Sequence, residues 1–143
     1  MLERLYQPTA KDLLSGIQHS RFQSIATNSA ASTGVTALSF TVPADRMRVI
    51  QCVTCQCQPG AAQFFEYVYF QVTPGSAPAP SWQMYFSPPT RTVAVPVAAA
   101  WSGEIWIYPN ESVTLGAFFS AGGVANAVNA SVFGWDIPRG NFN

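Results

Sequence analysis

The sequence predicts an all-β fold, an antiparallel β-sandwich of about eight strands behind an extended N-terminal arm. Three observations carry that expectation. From Arg21 onward no helical period is present, and β-branched and aromatic residues dominate. Short runs of them alternate with Pro, Gly, Asn and Asp turn chemistry at the spacing of a sandwich or barrel. The 143 residues are 48% hydrophobic and only 10% charged, where a soluble domain normally carries about twice that charge. One domain of this size buries roughly two-thirds of its unfolded surface.

Residues 1–19 form the arm. Leu2, Leu5 and Tyr6 give its first part an apolar character, and Pro8 separates them from Ala10–Ile17, a short helical turn limited by Gly16. The arm carries Glu3, Arg4, Asp12, the only lysine (Lys11) and the only histidine (His19). It is too short to build a core, so it lies on its own domain, lies on a neighbour, or is disordered. Residues 20–143 are the sandwich. Candidate strands are Arg21–Thr27, Val35–Val42, Arg46–Gln58, Gln63–Thr73, Trp82–Phe86, Arg91–Val97, Glu104–Tyr108, Ser112–Phe119 and Val124–Trp135. Between them stand turns such as Pro43-Ala44-Asp45, Pro59-Gly60, Pro88-Pro89, Ser102-Gly103 and Ala121-Gly122-Gly123.

Side chains alternate across a strand. In Arg46–Gln58 the odd positions (Met47, Val49, Gln51, Val53, Cys55, Cys57) read as the core face. Val113, Leu115, Ala117 and Phe119 make a second inward row. The segment Phe64–Phe70 is apolar on both faces. One face fills the core, and the other, with Phe65, Tyr67 and Tyr69, needs a cover from the arm, a loop or another subunit.

Chemistry has little material here. Cys52 has opposite parity to Cys55 and Cys57, so the three cannot converge without a bulge, and they read as buried thiols. His19 sits in the arm, away from rigid placement, so no catalytic residue is expected. The same single histidine excludes a metal site of several imidazoles. Glu66, Glu104, Glu111 and Asp136 are candidate paired carboxylates, but Glu66 reads as the partner of Arg91 or Arg48 in a structural ion pair. Trp82, Tyr85, Trp101, Trp106 and Tyr108 offer stacking surfaces for sugars, or packing for a core or subunit interface. The chain reads as a non-enzyme without cofactor or metal.

Seven basic and seven acidic residues give a formal net charge of zero, which argues against nucleic acid, since phosphate binding needs a basic excess. No apolar run of membrane-span length and no secretory signal is present. The sequence therefore predicts folding in a cytoplasm, with reduced cysteines. A sparsely charged, aromatic-rich surface predicts homo-oligomerisation or a docking partner.

Two segments carry a resemblance. Val42-Pro43-Ala44-Asp45-Arg46-Met47-Arg48-Val49-Ile50 is similar to a strand entry in small jelly-roll proteins of tailed-phage virions, with Asp45 in place of the usual glycine and Met47 in place of the usual aromatic. Trp106–Leu115 and Ala130–Pro138 resemble their closing strands, the last ending in Gly134-Trp135-Asp136-Ile137-Pro138. The resemblance covers roughly half the chain and none of the arm. It implies a jelly-roll-like sandwich acting as a capsid cement, or decoration, protein. Such a protein sits on the virion surface as a dimer or trimer, bridges neighbouring major capsid proteins, and is assembled in the bacterial cytoplasm. The contact residues expected are Leu2, Leu5 and Tyr6 in the arm, Phe65, Tyr67 and Tyr69 on the doubly apolar strand, and the loop tryptophans Trp82 and Trp101. The alternative is a jelly-roll carbohydrate-binding module of a phage tail or fibre.

Overall fold

A computed structural model describes residues 20–75, 81–88 and 90–139. The arm, with Leu2, Leu5 and Tyr6, lies outside the described residues. The elements are β1 (Ser20–Ala30), β2 (Gly34–Thr41), β3 (Arg46–Gln58), β4 (Phe65–Thr73), β5 (Trp82–Phe86), β6 (Val97–Ile107), β7 (Ser112–Phe119) and β8 (Asn126–Pro138). They form two four-stranded antiparallel sheets, ordered β1-β8-β3-β6 and β2-β7-β4-β5. The first strand pairs with the last, the second with the seventh, the third with the sixth and the fourth with the fifth. That is the pattern of one long hairpin rolled into a jelly roll. Pairing of β3 with β8 and of β4 with β7 completes the sheets.

The core lies between the sheets and is built from Val35, Leu38, Ile50, Val53, Phe65, Phe70, Leu115 and Val132, among others. At one end of the strands the buried Asn126 amide ties three turns together. Its Oδ1 accepts from the Gly60 N–H, and its Nδ2 donates to the Ser32 and Ala121 carbonyls. At the other end an ion pair is buried. Arg48 holds Asp136 through two hydrogen bonds, Nε to Oδ1 at 2.6 Å and Nη2 to Oδ2 at 2.8 Å. The guanidinium lies 3.4 Å from the Phe22 ring centroid and 4.9 Å from that of Phe40. Glu66 pairs with Arg91 at 2.8 Å, so of its two expected partners Arg48 is taken elsewhere.

One candidate strand and one candidate turn are corrected. Arg91–Val97 is not a strand. Val93, Val95 and Pro96 are exposed connection, Ala94 has φ 57°, and its N–H donates to the Gln63 carbonyl. Ser102-Gly103 is not a turn, because β6 runs through it to Ile107. The register passes from Ile50↔Ile105 to Cys52↔Ser102, so Gly103 and Glu104 oppose the single residue Gln51. That bulge gives the glycine its place inside a strand.

Gln51 is also an extra residue against β8, where Ile50↔Gly134 is followed by Cys52↔Phe133. The strand's parity flips there. Before the bulge Arg48 and Ile50 point inward; after it Val53, Cys55 and Cys57 do. Val49, expected in the main core, packs instead in a second cluster with Ile137 and Trp106. Gly134 is required beside the bulge, since a Cβ there would stand 1.9 Å from the Val49 carbonyl oxygen.

Candidate interaction face

A third bulge builds the outward face of the β2-β7-β4-β5 sheet. Phe65 opposes Phe119 and Tyr67 opposes Phe118, leaving Glu66 as the extra residue in β4. Before the bulge Phe65 turns inward, 1% exposed and edge-on to Phe119 at 6.2 Å. It therefore leaves the expected contact set. After the bulge Val68, Phe70 and Val72 fill the core, while Tyr67, Tyr69 and Gln71 point outward.

Neighbouring strands complete the face by register. Tyr85 and Gln83 of β5 stand beside Tyr69 and Gln71. Phe118, Gly116 and Thr114 of β7 stand beside Tyr67, Tyr69 and Gln71. Tyr67 stacks on Phe118 at 5.0 Å and meets Tyr85 edge-on at 5.3 Å. Tyr69 tilts against Phe118 at 5.6 Å, and its hydroxyl lies 2.9 Å from Thr36 Oγ1 on β2. Such contacts fix side chains that would otherwise lose rotamer freedom on docking. Gly116 makes room for the Tyr69 ring, as a Cβ there would come within 2.6 Å of the Tyr69 hydroxyl and of the Val35 carbonyl. The Gln83 side-chain amide donates to that of Gln71. The rings and amides enclose a shallow depression of about 370 Å³.

The face is electrically quiet. Its side chains are phenols, amides, a hydroxyl and a phenyl ring, with the Glu66–Arg91 pair at its margin. Loss of hydration raises the Tyr67 phenol above its ordinary value, with smaller contributions from Tyr85, Tyr69 and Glu66. The arrangement offers apolar contact area with hydroxyl and amide hydrogen bonding. Phe118 and the two glutamines were not among the expected contacts. The outward position of Phe118 was implied by its parity opposite Ala117 and Phe119.

The tryptophans fall elsewhere. Trp82 packs on Phe70 at 6.1 Å from the inner side of β5, and Trp101 lies on the inner side of β6. The sheets part between these two edges, opening a cavity of about 450 Å³ lined by Val53, Phe70, Met84, Phe86, Ala99, Trp101 and others. Trp106 donates to Glu104 at 2.6 Å and packs beside Val49 and Ile137. The structure thus brings Tyr67, Tyr69 and Tyr85 together and separates them from Trp82, Trp101 and Trp106.

The Gln51 bulge precedes all three cysteines and leaves Cys52 on the opposite face. Cys55 and Cys57 are buried with sulfurs 3.7 Å apart. The contact with Cys55 and burial push the Cys57 thiol well above its ordinary range. Among the described residues no group of three or more His, Cys, Asp or Glu is placed to hold a metal ion, and no helix is long and apolar enough to cross a membrane.

No protein-family model and no curated protein matches the chain. Solved structures do. A chain in the structure of infectious bursal disease virus, Gx strain, superposes with a TM-score of 0.53 at 12% identity, over 87% of this chain and 34% of that one. What the two share is the fold. A chain of the Gt strain gives a TM-score of 0.45 at 10% identity, with 87% and 34% covered. The sequence thus spans about a third of the solved chains it matches.

Proposed function

We propose that this chain is a structural virion protein, a cement or decoration protein on the outside of a phage capsid. It bridges neighbouring major capsid proteins as a homo-oligomer, without catalysis, cofactor, nucleic acid or membrane, and is assembled in the bacterial cytoplasm. One observation carries the reading: a capsid-like jelly roll presents a preformed, uncharged face of Tyr67, Tyr69, Tyr85 and Phe118. Aromatic residues are enriched and charges depleted at the centres of protein interfaces. Rings already packed on one another lose little freedom on docking, and several copies engaged together dissociate slowly even if each contact is weak.

The test is co-sedimentation with empty shells of the cognate major capsid protein. Saturable binding that raises the shells' resistance to heat is the expected result; protein left in the supernatant at micromolar concentrations overturns the reading. The paired Gln71 and Gln83 amides beside the tyrosine rings favour one second reading, a sugar-binding module of a tail or fibre. Stacking rings with planar amide donors suit a sugar's apolar face and hydroxyls. That reading calls for chemical-shift or fluorescence changes at these tyrosines when host-surface oligosaccharides are titrated in.

A further inference from the structure

We infer that the free edge of β6 is a self-association surface, where a second copy of this chain adds its own β6 antiparallel across a two-fold axis. In the β1-β8-β3-β6 sheet, β6 is an end strand, and among the described residues nothing pairs with its outer edge. Edge strands of soluble proteins are ordinarily blunted by charge, by proline or by being short. This one is eleven residues long, and the stretch Val97-Ala98-Ala99-Ala100-Trp101-Ser102 holds no charge and no proline. The Gly103–Glu104 bulge ends the flat portion, so the pairing surface is bounded by the fold itself.

The flat stretch is self-complementary. With the axis at Ala100, that residue faces its own copy and Ala99 faces Trp101 of the second copy. Directly opposed residues of an antiparallel pair point to the same side of the sheet. The Ala99 and Trp101 pairs therefore lie on the inner side, at the mouth of the 450 Å³ cavity. Small alanines let the edges close, and each Trp101 ring is carried towards the other copy's opening. The surroundings are apolar as well. Phe86, Val93 and Val95, 43%, 52% and 45% exposed, lie in or just after β5 on the way to β6. No charge within the stretch opposes an identical surface, and isologous two-fold dimers are the commonest homo-oligomers.

The inference supplies the homo-oligomer of the proposed function with a surface, and it leaves the tyrosine face of each copy free. It stands or falls independently of capsid binding, because its readout is the protein alone. The experiment is the solution mass of the full chain by sedimentation equilibrium, with Ala100→Lys and Ala100→Cys variants. Ala100 is exposed, so both variants fold, which circular dichroism verifies. The parent chain is expected as a dimer. Opposed ammonium groups in A100K raise its dissociation constant by roughly tenfold or more. A100C forms a disulfide-linked dimer on mild oxidation, and the parent, with its own three cysteines, does not. A monomeric parent overturns the inference, as does a dimer indifferent to A100K and uncrosslinked in A100C. A dimer lost only on deleting residues 1–19 assigns the contact to the arm and overturns it too.

Discussion

Replacing Asp136 with asparagine removes one charge from the inside of the sandwich and almost no volume. The native carboxylate accepts two hydrogen bonds from Arg48 at 2.6 and 2.8 Å, and the two residues are only 6% and 7% exposed. In Asp136→Asn the guanidinium stays between Phe22 and Phe40, and the amide offers one acceptor where two stood. Breaking a buried pair on one side costs about 3–5 kcal/mol, mostly the penalty of an uncompensated charge. The retained acceptor and the ring contacts place the expected loss near the lower end, about 3 kcal/mol. For a domain of this size that lowers Tm by roughly 10 °C. Urea unfolding followed by tryptophan fluorescence measures it, with an unchanged m-value as the control for two-state behaviour. Replacing both partners, Arg48→Met with Asp136→Leu, is expected to recover most of the loss. A loss below about 1 kcal/mol for Asp136→Asn would mean that the pair is solvated and does not close this end of the core.

Gly134→Ala sets a methyl group against the Val49 carbonyl across the β3 bulge, and an expected loss of about 3 kcal/mol or more is checked by the same unfolding curve. Thiol titration at neutral pH is expected to label at most Cys52 in the folded protein and all three cysteines in denaturant; rapid labelling of Cys55 or Cys57 contradicts their burial. The folded state raises the Tyr67 pKa, so the neutral phenol's contribution to stability is complete below the ordinary tyrosine value of 10.0. It is lost as pH rises from there through the higher folded value. Tyr67→Phe therefore flattens the alkaline fall in stability, and an identical pH profile for parent and variant contradicts the crowding of that phenol.

The legible and illegible parts of the fold divide at the bulges. Strand existence followed from alternation and turn residues, and eight of the nine candidate segments overlap strands at matching places, Glu104–Tyr108 as the end of β6. The pattern could not show that Gln51, Gly103-Glu104 and Glu66 are extra residues, because a bulge is fixed by the partner strand's register. Across its bulge β6 keeps Ala99, Trp101, Ile105 and Ile107 on the inner side, whereas Gln51 and Glu66 each flip the parity of their own strand. This is why Val49 left the main core and why Phe65 went inside while Tyr67 and Tyr69 remained outside. Arg91–Val97 has the β-branched residues of a strand, yet it lies outside the sheet in an exposed connection, with Pro96 removing a donor immediately before β6. The tyrosine face was half legible. Tyr67 and Tyr69 followed from an excess of aromatics on one strand and Gln71 shares their parity, whereas Phe118, Tyr85 and Gln83 join them only through the order β7-β4-β5. Trp82 and Trp101, grouped in sequence reading with the contact residues, lie instead on the inner sides of β5 and β6, the end strands of the two sheets.

The most direct measurement of the proposed role is the affinity of a Tyr67→Ala/Phe118→Ala variant for capsid shells, beside that of the parent protein. Both rings stand on the outer face, so the sandwich is expected to keep its fold and solution mass. Removing two stacked aromatics from the centre of an interface is expected to weaken shell binding by about a hundredfold, from roughly 1.5 kcal/mol for each ring. Parent-like binding by the folded variant would place the contact surface elsewhere on the molecule.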